Sequence, residues 1–138
     1  MEQPETFIAR ADLVISRFGE WPGFHDAEVM KLELHREGRI LLLELKAFQM
    51  LKETDEKGYF KIQNLSLITF RFAGIEDLRL EGFNGQNAIF GLNFERDGVK
   101  IRVSLEPAHG LGGEFLCETV EVVQVKSISN EVEKTYNS

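Results

Sequence analysis

A histidine and two carboxylates crowd into His25-Asp26-Ala27-Glu28, directly after Trp21-Pro22-Gly23-Phe24. Imidazole nitrogen and carboxylate oxygen are ligands that zinc takes, and the same pair can move a proton as acid and base. Adjacent residues on a strand point to opposite faces, so His25 and Asp26 would diverge while Asp26 and Glu28 share a face. A further ligand would have to come from a distance, and His109 is the candidate besides the strand residue His35. The alternative is structural. Trp21 and Phe24 would anchor a turn, and the Asp26 carboxylate would accept backbone N–H groups.

Other chemistry finds less support. Cys117 lies in an alternating run, where a free cysteine packs as a small hydrophobe. Glu114, Glu118 and Glu121 lie near it, and negative charge raises a thiol pKa and does not activate it. Ser66 and Ser104 sit within strand patterns, away from any nucleophile elbow. Gly110-Leu111-Gly112-Gly113 could cradle a phosphate, but it leads into no helix, and no Lys or Arg stands between Arg102 and Lys126. Those glycines read as turn residues. Asn84, Gln86 and Asn87 form a second polar group around an Asn-Gly pair, which is turn chemistry first and partner recognition second. Between Val103 and Val125 the charges are Glu106, Glu114, Glu118 and Glu121 alone. They read as a solvated strand face or, more sharply, as a docking face for a basic partner.

These residues must be positioned by one domain, since the chain has 138 residues. Hydrophobic residues make up 43% and charged residues 28%, which is a globular composition. With one cysteine there is neither an internal disulfide nor a cysteine-based zinc site. The longest apolar run covers residues 40–43, too short to span a membrane. Met1-Glu2-Gln3-Pro4-Glu5 lacks the positive start of a signal peptide, so the expected location is the cytoplasm. The net charge of −7 repels phosphate backbones and anionic lipid, so neither nucleic acid nor membrane is an expected partner.

Phe7, Ile8, Ala11, Val14, Ile15 and Phe18 recur at helical spacing between Pro4 and Gly19, which predicts a helix over residues 4–18. From Glu28 the period falls to two. Met30, Leu32 and Leu34 alternate, Gly38 turns the chain, and Leu41, Leu43 and Leu45 alternate back as a hairpin. Residues 51–58 are charged and read as a loop. Further strands are predicted at 62–72, at Leu78 and Leu80, and at Phe90, Leu92 and Phe94. An Asp97-Gly98 hairpin follows, with a strand at 99–105 and a last one at 115–125. Residues 126–138 are polar and aperiodic and are expected to fray. The prediction is an α+β fold, predominantly β. A single domain over 1–125 packs its N-terminal helix on a curved, mainly antiparallel sheet or small sandwich of about seven strands.

Trp21-Pro22-Gly23-Phe24-His25-Asp26-Ala27-Glu28-Val29, Phe83-Asn84-Gly85-Gln86-Asn87, Leu105-Glu106-Pro107 and Phe115-Leu116-Cys117 together resemble the immunity protein 50 family, small bacterial immunity proteins of polymorphic toxin systems. The resemblance spans most of residues 18–125 and implies no catalytic residue, metal or cofactor. It implies a non-enzymatic protein that binds a cognate toxin domain and neutralises it by steric occlusion. An acidic immunity protein suits a basic toxin such as a nuclease. The residues from which a partner surface would be drawn are Trp21, His25, Asp26, Glu28, Asn84, Gln86, Asn87, Glu106, His109, Glu114 and Glu118. Two other readings stay open: a small metal- or ligand-binding enzyme using His25, Asp26 and Glu28 with His109, and a homo-oligomeric module joined through a strand edge.

Overall fold

A computed structural model describes residues 3–128 and a short strand at 135–136. The chain is predominantly β, with a single sheet that does not close on itself. In chain order the strands are β1 (Glu28–His35), β2 (Ile40–Thr54), β3 (Phe60–Ala73), β4 (Glu76–Glu81), β5 (Ala88–Asp97), β6 (Lys100–His109), β7 (Gly112–Cys117), β8 (Thr119–Ser127) and β9 (Thr135–Tyr136). Their spatial order is β4-β7-β6-β5-β1-β2-β3-β8, and β9 pairs with the start of β3. Every ladder is antiparallel.

The sheet is two half-sheets joined by a narrow seam. β1 and β5 share one residue pair, Glu28 opposite Ala88. The halves then curl to face each other. Phe70 and Phe72 of β3 meet Phe94 of β5 with ring centroids 6.0 and 6.4 Å apart, and Phe72 meets Phe115 of β7 edge-on at 5.0 Å. Leu41, Leu43, Leu45, Ile68, Val103 and Val120 complete the buried interior. Each such side chain contributes about 1.5–3 kcal/mol over leaving it in water.

The expected last strand is two strands. Glu118 interrupts it, so β7 pairs with β6 and β4 while β8 crosses to pair with β3. The alternation slips by one residue at the break, from Phe115 and Cys117 to Val120 and Val122, all buried, and that slip is the mark the change of partner leaves in the sequence. That division, with the short β9, raises the count above the expected seven.

The predicted helix over 4–18 is also divided. Pro4–Thr6 form a 3-10 turn and α1 spans Asp12–Phe18. Between them Ala9 bridges Glu121 in parallel: its N–H donates to the Val120 carbonyl, and its carbonyl accepts from Val122, both at 2.9 Å. Arg10 then turns at φ 60°. β8 thus takes backbone bonds that a continuous helix would have used itself, while Ile8, Ala11, Val14 and Phe18 still face the core.

The loop expected at 51–58 is shorter. Residues 51–54 continue β2, and the Asp55 side chain accepts the N–H groups of Lys57 and Tyr59 at 2.8 and 3.0 Å to make the turn. At the C-terminus, Lys126 and Ser127 belong to β8, opposite Leu67 and Ser66. Residues 129–134 and 137–138 lie outside the described residues.

Candidate functional site

Three of the polar stretches that the sequence singles out meet at the seam between the half-sheets. The first is the turn before β1. Trp21 packs edge-on against Phe24, Phe70 and Phe94, with centroids 5.6, 6.2 and 5.9 Å away. Phe24 is buried with φ 61°, and Asp26 follows with φ 66°. Two non-glycine residues in the left-handed region within three positions are costly and need surroundings that hold them. The holding bonds come from β5: Asp26 N–H donates to the Ile89 carbonyl at 2.9 Å, and Ile89 N–H donates to the Ala27 carbonyl at 2.8 Å.

This geometry alters the reading of His25 and Asp26. They lie in a turn and not on a strand, so they do not diverge: His25 Nε2 stands 3.4 Å from Asp26 Oδ2. His25 Nδ1 lies 3.2 Å from the Phe90 carbonyl oxygen, and its ring stands edge-on to Phe90 at 4.8 Å. Asp26 is tied to β5 through its own backbone N–H, in place of the expected carboxylate bonds to backbone.

The second stretch, residues 83–87, is a self-contained turn. Asn84 Oδ1 accepts from Gly85 N–H at 2.8 Å. The buried Asn87 accepts from Asn84 N–H at 2.9 Å and donates to the Asn84 carbonyl at 2.7 Å. Its Oδ1 also accepts from Leu111 N–H at 3.1 Å, which fastens the third stretch, the turn between β6 and β7. The Asn87 carbonyl accepts from Val29 N–H at 2.8 Å. Gln86 is exposed, as is Asn84.

The remaining predicted residues spread out. His109 stands opposite Ala88, which in turn stands opposite Glu28. Glu106 accepts from Asn93 Nδ2 at 2.7 Å and shares with Trp21 a cleft of about 790 Å³. Glu114 faces Arg79 at 2.9 Å and Arg102 at 3.4 Å. Glu118 lies at the β7–β8 break, 3.7 Å from Arg39. The glutamates of 103–125 therefore do not gather into one bare acidic face. Among the described residues, no group of three His, Cys, Asp or Glu side chains could hold a metal ion. His25, Asp26, Glu28 and His109 are therefore not gathered as a set of metal ligands.

What the seam does present is aromatic and apolar. Phe83 is 79% exposed and Phe90 56%. Unbroken alternation would put Phe90 on the same face as Leu92 and Phe94. The β5–β6 register shifts on both sides of Ile89, so Ile89 turns inward and Phe90 outward. A bulge leaves little mark on composition, and only the run Ala88-Ile89-Phe90, with too many apolar residues for strict alternation, hints at it. A groove of about 540 Å³ adjoins the same end, lined by residues 29–32, 80–83 and Leu111.

No described helix is long and apolar enough to cross a membrane. In comparisons with known proteins, a family profile described as Immunity protein 50 matches residues 11–128. No curated protein and no solved structure matches the chain.

Proposed function

The chain belongs to the immunity protein 50 family, a family of immunity proteins and not of enzymes, and from that premise we propose that it binds a cognate toxin domain and neutralises it by covering the toxin's active site. The binding surface is the seam end of the sheet, built from residues 21–28, 83–87 and 107–111. One observation carries this reading. Phe83 and His25 stand exposed on turns and Phe90 on the bulged start of β5, over backbones fixed by buried hydrogen bonds and by two left-handed residues. Exposed aromatics on a rigid frame lose little entropy when they dock, and such residues dominate binding energy at interfaces.

The partner is a toxin with a basic surface, such as a nuclease. The net charge of −7 complements it and speeds encounter. The meeting takes place in the cytoplasm. Steric occlusion asks no cofactor of the immunity protein.

The test is a titration against the toxin domain encoded beside this chain's own gene. Phe83→Ala and Phe90→Ala should each weaken binding by roughly 30-fold, as removal of a hot-spot aromatic does, with unchanged urea unfolding. Unchanged affinity in both variants would move the binding surface elsewhere. An association rate that ignores salt would remove the basic-toxin assignment.

A further inference from the structure

The inward face of β1 is only partly covered. Leu34 stands opposite Leu41 and Leu32 opposite Leu43, so both project toward the side on which Leu41 and Leu43 are buried. Leu41 is 1% exposed, yet Leu34 is 54% exposed. The difference comes from the neighbouring strand position. β1 pairs with β2 along its length, but with β5 only at Glu28. Beyond that residue, no strand among the described residues pairs with its second edge.

β4 runs past this open edge without closing it. At one end, Ile75 N–H donates to the Arg39 carbonyl at 2.9 Å, in the turn that ends β1. At the other, residues 80–83 share the 540 Å³ groove with residues 29–32. Among the described residues β4 pairs on one side, with β7. The groove therefore lies between two strand edges, and its floor is the half-buried Leu32 and Leu80, which pack against the core. Met30, the extra residue at the β1 bulge, and Phe83 stand exposed at its rim.

We infer that the open edge of β1 is a strand-addition site, taken by one extended segment of the toxin; the inference rests on the toxin-binding reading above. Unpaired N–H and C=O groups in register select an extended chain and no other shape. Alternate apolar side chains of that segment cover Leu34, Leu32 and Met30. Its flanking residues are Lys or Arg. Glu81 lines the seam end of the groove and supplies the matching carboxylate, whereas Lys31 is already matched by Glu33 at 2.7 Å.

The experiment is hydrogen exchange of the full chain alone and with the toxin domain encoded beside its gene, together with affinities of Leu34→Lys and Met30→Lys. Val99→Lys, on an 87% exposed turn residue between β5 and β6, is the control. Both test residues are already half in water, so circular dichroism should be unchanged. Complex formation should slow exchange of backbone amides at residues 31–35 that are fast in the free protein. Leu34→Lys should weaken binding at least 30-fold, Met30→Lys should weaken it less, and Val99→Lys should leave it unchanged. Tight binding with those amides still fast overturns strand addition and leaves the immunity reading intact. No binding at all overturns both. Slowing that grows with protein concentration without toxin gives the edge to a second copy of this chain and overturns the inference.

Discussion

The Asn87 side chain reaches Leu111 in the turn between β6 and β7: its Oδ1 accepts the Leu111 N–H at 3.1 Å and the Asn84 N–H at 2.9 Å. One buried side chain thus holds two turns in register, and the exposed Phe83 is carried on one of them. Asn87→Ala leaves both N–H groups without their partner. It should cost roughly 2–4 kcal/mol in urea unfolding. Asn87→Asp keeps the acceptor but loses the donor to the Asn84 carbonyl, and should cost less than Asn87→Ala only while the carboxylate finds these two N–H groups.

The same junction fixes Gly110. Its φ is 79°, and a β-carbon there would strike the Gln86 carbonyl oxygen and lie 2.6 Å from Asn87 Oδ1. Gly110→Ala should lose more than about 1 kcal/mol. Gly98, with φ 66° and open space around it, provides the contrast: Gly98→Asn should fold with only a small loss, because asparagine tolerates the left-handed region.

Cys117 is fully buried, and burial, with Glu118 adding to it, pushes its thiol up to about 12 from an ordinary value of 9.0. Between those two values the unfolded chain gives up the thiol proton while the native chain keeps it. The native state then binds more protons, so stability falls as pH rises. The stability advantage of the wild type over Cys117→Ala should shrink from about pH 9 upward. A thiol reagent at pH 8 should label the protein only in denaturant.

Lys100 and Arg39 both lie against Glu76. The hydrogen bond from Lys100 holds the Glu76 carboxyl below the usual range, with the charges of Lys100 and Arg39 adding to it. The Lys100→Met variant should return the Glu76 carboxyl upward in a carbon-13 titration. An unchanged Glu76 titration would show that the pair does not persist in solution. Stability from this carboxylate is present above its unfolded pKa and is lost as pH falls through the lowered native one.

Strand identity was legible in the sequence because period-two alternation is a local property. Leu41, Leu43 and Leu45 announced β2, and Asp97-Gly98 announced the β5–β6 turn. Partner choice is not local. At Cys117-Glu118-Thr119 the buried positions slip by one residue, from 115 and 117 to 120 and 122, but the slip does not name β3 as the new partner. The site was legible as three polar stretches but not as one place. Their union depends on Asn87, and the sequence showed an Asn-Gly turn without showing which amide faces inward. Alternation alone does not show that Phe90 and Leu34 are exposed. One is turned out by a bulge, and the other faces inward where no strand covers it.

The break at Glu118 also bears on how the protein is made. β8 pairs beside Phe70 and Phe72 of β3 and holds the Ala9 bridge, and it spans Thr119–Ser127, after β4 to β7 in chain order. During synthesis β3 therefore keeps one edge unpaired until β8, which follows β4 to β7, has left the ribosome. Such non-local closure is slow and leaves sticky intermediates. A chain interrupted before β8 consequently lacks both the partner for one edge of β3 and the strand that holds Ala9 in place.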